Sequence, residues 1–193
     1  KLVDWIQIRL EGTLNHTQFS PDQHKHILYH LTAAVGFEQF IHRKFVGQKR
    51  FSLEGLEALI PALDTTIEHG AEHGVKEFVI GMAHRGRLNV ITNIMRKPYE
   101  EIFAEFIGEA YDDESTLGDV KYHLGYSNTI ETDKGKLVRL HLVPNPSHLE
   151  TVGPVAEGIA RARIDDAYQG DVNSLIPIII HGDAAVAAQG VVY

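Results

Sequence analysis

Two short stretches of this chain place imidazole, guanidinium and carboxylate groups beside residues small enough to leave room for a ligand. One is Gly81-Met82-Ala83-His84-Arg85-Gly86-Arg87, and the other is His181-Gly182-Asp183-Ala184-Ala185. A carboxylate at Asp183, flanked by Gly182 and Ala184, suits Mg²⁺, which prefers one or two carboxylates plus phosphate oxygens and water. The helix start expected after it offers free backbone N–H groups to an anion. The plainer reading is that Asp183 caps that helix. His84 and Arg85 open a helix after a strand. Arg offers a planar fork to a phosphate or carboxylate, and His moves a proton near neutral pH. The plainer reading here is a solvated turn held by Arg87.

Two further segments are dense in polar groups: Gly118-Asp119-Val120-Lys121-Tyr122-His123-Leu124-Gly125 and Asn145-Pro146-Ser147-His148-Leu149-Glu150. Their histidines, His123 and His148, have hydroxyl or amide neighbours, but a single loop histidine is more often a surface residue. His24, His26 and His30 resemble a metal cluster at first sight. On a helix, His26 and His30 share a face and His24 does not, and the sequence offers no obvious third ligand. They are therefore read as ordinary helix residues. His69 and His73 fall near a helix end, where positive charge suits the dipole.

The elements that must position these groups follow from periodicity and capping. Ser20-Pro21-Asp22-Gln23 predicts a helix start with a capping box, and Ile27, Leu28, Leu31, Val35 and Phe40 continue it to about Lys44. A second helix is expected from Ser52, with Leu56, Leu59, Ile60, Leu63 and Ile67 as its apolar stripe and Gly70 or Gly74 as its end. Residues 77–81 read as a buried strand, followed by a helix over 88–95 and another after Pro98. Residues 111–132 read as a long polar loop. Residues 136–143 and 176–181 read as strands, with a helix over 150–168 between them. Strands alternating with helices predict an α/β fold with a parallel sheet flanked by helices. The expected organisation is a helical lead-in over residues 1–45 and an α/β domain over 46–193.

Composition narrows the function classes. The chain has 193 residues, 44% of them apolar, and a net charge of −8. An acidic chain is a poor general binder of nucleic acid, where affinity comes from neutralising phosphates. Without cysteine it has no disulfide framework and no thiolate nucleophile. No apolar run approaches the roughly 20 residues of a membrane span, and no signal-peptide pattern opens the chain. It begins on Lys1 rather than methionine, so it is expected to start inside a longer chain.

Five blocks, taken in order, carry a resemblance: Phe51-Ser52-Leu53-Glu54-Gly55, Gly81 to Asn89, Gly118 to Gly125, Asn145 to Glu150 and His181 to Gly190. From about Leu31 onward the chain resembles the decarboxylating, thiamine-diphosphate-dependent first component of 2-oxoglutarate dehydrogenase complexes. The resemblance implies a thiamine-diphosphate-binding fold, here incomplete, and a Mg²⁺ ion. It implies that Arg85, Ser147 and Leu149 contact the cofactor, that Asp183 ligates Mg²⁺, and that Ala184 and Ala185 line the cofactor. His84 and His123 would be catalytic and face the 2-oxo acid, with Phe51 and Ser127 shaping its pocket. The implied partners are 2-oxoglutarate, a lipoyl-bearing succinyltransferase component and a second copy of the chain. The implied location is the cytoplasm of a bacterium or the mitochondrial matrix of a eukaryote. A 2-oxoadipate relative and a non-catalytic assembly module are the alternatives. Two departures stand out: Ala184 where related signatures have glycine, the form associated with the 2-oxoglutarate branch, and Ala188 where glycine is expected. In the family, further metal ligands and the activating glutamate lie beyond Tyr193, so the isolated chain is expected to be inactive.

Overall fold

The computed structural model describes residues 1–14, 16–108 and 121–193. Helix α1 (Leu2–Thr13) buries none of its side chains. Helix α2 (Pro21–Lys44) begins as its sequence dictates. The Ser20 hydroxyl accepts the Gln23 N–H at 3.2 Å, and the Gln23 side chain accepts the Ser20 N–H at 2.8 Å. Ala34, Phe37 and Ile41 of α2 are buried in the same core as the sheet rather than in one of their own.

The helix expected from Ser52 starts later, as α3 (Leu59–Glu72). Two contacts account for the delay. Gly55 has φ +89° and its N–H is taken by the Glu57 carboxylate, while the buried Glu38 carboxylate accepts the Leu53 N–H at 3.1 Å. These bonds commit residues 51–58 to turns. Leu56 is consequently exposed, whereas Ile60, Leu63 and Ile67 are buried as expected. Gly74, with φ +93°, follows the helix end.

Four strands form one sheet in the order β2-β3-β1-β4. Strand β1 (Glu77–Met82) pairs in parallel with β3 (Leu137–Leu142) and with β4 (Leu175–Ile180). Strand β2 (Tyr126–Glu131) pairs with β3 in antiparallel fashion. It occupies the end of the segment read as a loop; residues 109–120, including the first ten of that segment, lie outside the described residues. The missed signal was the turn at 132–136. Thr132 and Lys136 close it, with Gly135 at φ +73° and its N–H bonded to the Thr132 carbonyl.

Helix α4 (Arg87–Asn93) and α5 (Tyr99–Ile107) follow β1; α6 (Val152–Tyr168) precedes β4 and α7 (Asp183–Ala188) follows it. The sheet is covered on both faces. Phe78, Ile80 and Leu140 share a core with α2, α3, α4 and α5, and Val79 and Leu175 pack with Ala156, Ala160 and Ile164 of α6. The approach of α6 is close. A Cβ on Gly81 would lie 2.9 Å from the Ala156 Cβ, so any larger residue would push α6 off the sheet.

Candidate functional site

The register of the sheet brings the distant motifs to one edge. Met82 lies opposite Ile180, and Ile80 opposite Leu142, in parallel pairings. The segments carrying His84, Asn145 to Glu150, and Asp183 therefore leave the sheet together, in the crevice beyond the carboxyl ends of the strands where open α/β sheets bind ligands.

Arg87 holds this edge from below. It is fully buried, and its guanidinium donates to the carbonyls of Met82 at 3.3 Å, Leu124 at 2.7 Å and Val143 at 2.7 Å. One side chain thus joins the ends of β1 and β3 to the segment carrying His123. Burial lowers its pKa to about 10, so it remains a cation at neutral pH. The turn is held by Arg87, as the plainer reading had it, but by a residue of the interior and not a solvated one.

Above Arg87, the rings of His84 and His123 lie 5.1 Å apart, and Phe51 packs 5.1 Å from His84 and 4.8 Å from Tyr122. Phe51 sits here because Gly86, at φ +76°, lets the 51–53 segment lie against the turn: its N–H donates to the Phe51 carbonyl, and a Cβ on it would meet Leu53 at 2.5 Å. Phe51 itself adopts φ +45°, a conformation that costs a bulky side chain energy and that recurs at functional sites. Burial, then the neighbouring His123 and Arg87, push the His84 pKa down. A neutral His84 accepts at Nδ1 from the buried Asn145 amide, 3.4 Å away, which leaves the proton on Nε2. Nε2 of His123 and Oγ of Ser147 are 2.9 Å apart. Arg85 is exposed and donates to the Ser52 carbonyl at 2.9 Å, anchoring the Phe51 segment from outside.

The β4 side of the site is fixed by Glu150, which sequence reading did not single out. Its buried carboxylate bonds Nδ1 of His181 at 2.5 Å and accepts from the Gly182 N–H at 3.4 Å, tying the segment after β3 to the end of β4. Its backbone is also at positive φ, +70°. His84, Asn145, Leu149, Gly182 and Ala185 line one small cavity of about 60 Å³ between the two sides. Asp183 and Ala184 are exposed at its margin. Ala188 closes α7 in a helical position, where alanine is not strained.

His84, His123 and Ser147 thus meet, and Leu149 and Ala185 share the adjoining cavity with His84. Ser127 does not join them. It follows Tyr126 in β2, and alternation along the strand turns it to the α6 face, 2.5 Å from Nδ1 of His141. Gly118, Asp119 and Val120 lie outside the described residues. Asn145, Glu150 and the Glu38 network escaped the sequence because each acts by holding backbone. The only signal was that the first two stand in a motif already singled out.

In a chain of net charge −8, the crevice beyond the parallel strands β1, β3 and β4 carries the exposed Arg85 and the imidazoles of His84 and His123, donors that suit an anionic ligand. Residues 29–193 match the family described as "Dehydrogenase E1 component", and the chain belongs to that family. It is 52% identical over 188 residues to the 2-oxoglutarate dehydrogenase E1 component of Cupriavidus necator, covering 97% of this chain and 20% of that protein. It is 50% identical over 199 residues to the protein of the same name from Brucella canis, again covering 97% and 20%. The chain therefore spans about a fifth of the length of the curated relatives it matches.

Proposed function

We propose that this chain supplies one wall of the active site of an enzyme that oxidatively decarboxylates 2-oxoglutarate and passes the succinyl group to a lipoyl-bearing succinyltransferase component. The observation that carries this reading is the convergence of His84, His123 and Ser147 with the Gly182-Asp183 turn on one sheet edge. The half-identity to relatives named for that substrate supports it.

The residues present fit thiamine diphosphate with Mg²⁺. Asp183 offers an exposed carboxylate beside small residues, and a Cβ even on Gly182 would meet only the Ala185 Cβ at 3.7 Å, so the surface there is open. Asp183 would ligate Mg²⁺, Arg85 would pair with the diphosphate, and Ser147, Leu149, Ala184 and Ala185 would line the cofactor. When bound, thiamine diphosphate supplies the nucleophilic carbon and the electron sink that this decarboxylation requires. The chain's own part is placement and charge. His84, kept neutral, donates from Nε2 to the substrate oxygen on which negative charge develops, and His123 hydrogen-bonds the dicarboxylate beside it. Phe51 forms an apolar wall that excludes water from His84. Among the described residues, no helix is long and apolar enough to cross a membrane. A cytoplasmic enzyme acting as a homodimer is part of the same proposal.

The test is turnover by the full-length protein with ferricyanide as electron acceptor. We expect 2-oxoglutarate to be used in preference to 2-oxoadipate, and Asp183→Ala to weaken binding of the cofactor with Mg²⁺. Preference for another 2-oxo acid would overturn the substrate, and wild-type cofactor affinity in Asp183→Ala would overturn the site.

A further inference from the structure

A second polar cavity, of about 520 Å³, lies away from the carboxyl edge and is bordered by α2, α3 and the turn between α4 and α5. His26 and His30, one helical turn apart on α2, face it with their ring centroids 4.6 Å apart. Asp64, on α3, reaches between them. Its Oδ2 lies 2.5 Å from Nε2 of His26 and its Oδ1 lies 3.3 Å from Nε2 of His30. One ligand atom from each of the three residues falls within 4.8 Å of the others. The third ligand that α2 lacks on its own therefore comes from a helix some 34 residues away in sequence.

We propose that His26, His30 and Asp64 form a binding site for a zinc-class divalent cation, with one coordination position open to the cavity. The donor set, two imidazoles and one carboxylate, suits zinc and its neighbours and not Mg²⁺, which takes oxygen ligands. The geometry is close to what such an ion needs. Tetrahedral zinc with ligands at roughly 2.0–2.1 Å separates them by about 3.3 Å. Asp64 Oδ1 is already at that distance from Nε2 of His30, while Oδ2 is hydrogen-bonded to Nε2 of His26 at 2.5 Å and must exchange that proton for the ion.

The surroundings also match. Metal-bound histidines commonly direct their second nitrogen to a carboxylate, which fixes the tautomer. Nδ1 of His26 lies 3.4 Å from Oδ2 of Asp133, in the turn between β2 and β3. His30 is 8% exposed and is held by packing instead, its Nδ1 being buried without a hydrogen-bond partner and its Nε2 turned to Asp64. Asp64, Asp133 and Glu68 make the wall acidic. Of the opposing cations, Lys97 is occupied by an ion pair with Glu105, leaving Arg96. A bound ion would brace α2 against α3 and, through Asp133, against the hairpin.

The experiment uses the full-length protein, stripped with a chelator and then supplied with thiamine diphosphate and Mg²⁺. Zn²⁺ is titrated in competition with a chromophoric chelator, and Co²⁺ serves as the spectroscopic probe. We expect the wild type to take up one more Zn²⁺ per chain than Asp64→Asn or His26→Gln, whose affinity at this site falls at least about 100-fold. Asp133→Asn should lose about tenfold. Co²⁺ should give the intense visible bands of a four-coordinate site in the wild type only. Turnover of 2-oxo acid, which none of these residues serves, reports that each variant is folded. Equal uptake by wild type and variants, or no uptake by the wild type at micromolar Zn²⁺, would overturn the site and leave a proton-held His–Asp network. The wild-type titration stands even where a variant fails to fold.

Discussion

Two of the histidine pairs in this chain have nearly equal ring separations, 5.1 Å for His84 and His123 and 4.6 Å for His26 and His30, yet their surroundings differ in sign. The first pair faces an amide, a hydroxyl and a phenyl ring, with the buried cation of Arg87 beneath it. Burial, His123 and Arg87 hold the His84 pKa down. The second pair faces carboxylates: the hydrogen bond to Asp64 raises the pKa of His26 against the opposing effect of burial, while burial lowers that of the deeper His30. The same side chain is thus a neutral donor beside the proposed anion site at His84 and a partner of carboxylates, with its charged form favoured, at His26. What decides between them is which charges the neighbouring elements bring, not the spacing of the histidines.

Substitution should separate the two regions most sharply through turnover. In the full-length enzyme, His84→Ala should lower turnover of 2-oxoglutarate by roughly 10²–10³, the loss typical of removing a hydrogen bond to developing charge, and His123→Ala should lower it by loosening the hold on the dicarboxylate. Cofactor affinity should change far less. His26→Ala and His30→Ala should leave turnover unchanged. A comparable loss in both pairs would break the contrast.

Calorimetric titration with cofactor and Mg²⁺ provides the next test. Asp183→Ala should weaken binding by roughly two orders of magnitude, because the diphosphate keeps its charge while losing the metal's protein ligand. Asp64→Asn should not alter it. The Glu150 tie is expected to matter less. Glu150→Ala leaves the Gly182 N–H and His181 without their buried acceptor, so denaturant unfolding should show a loss of about 1–3 kcal/mol. Cofactor affinity should drop by less than in Asp183→Ala.

The smallest effect concerns acid. His84 binds its proton less readily in the folded protein than in the unfolded chain, whose ordinary value is 6.5. Below about that pH the unfolded state takes up more protons, so stability falls as pH falls from there toward the lowered folded value. Above it this group contributes no pH dependence. His84→Gln should therefore flatten the decline of the thermal midpoint between neutral and mildly acid pH. A decline as steep as that of the wild type would assign the acid sensitivity elsewhere, with His141, also lowered by burial, the next group to replace.

Legibility in the sequence followed the range of the interactions involved. The capping box at Ser20, the apolar run of β1 and the turn after Pro98 are local, and each produced its element where expected. Ser52 also looked like a helix start. There the buried Glu38 carboxylate, 15 residues away, competed for the Leu53 N–H and the helix waited until Leu59. Strand β2 was hidden because its alternation, Tyr126 to Glu131, is polar on one face and needs β3 beside it to be a strand. The same pairing turned Ser127 away from the site, an orientation no motif records.

The sequence by itself determined which groups are available: the motifs at 81–87, 145–150 and 181–185, the acidic balance, the absence of cysteine and the alternation of strands and helices. Those properties reside in single residues or in spacings shorter than one element. The tertiary structure alone decided how they combine. Parallel pairing of β1 with β3 and β4 set His84 beside the Asp183 segment. The interior position of Arg87 made it a clamp on three carbonyls, and the packing of α3 on α2 delivered Asp64 to His26 and His30. A hydrogen bond or a ligand sphere is closed by atoms within about 3 Å of one another. Only folding sets that distance for residues far apart in the chain.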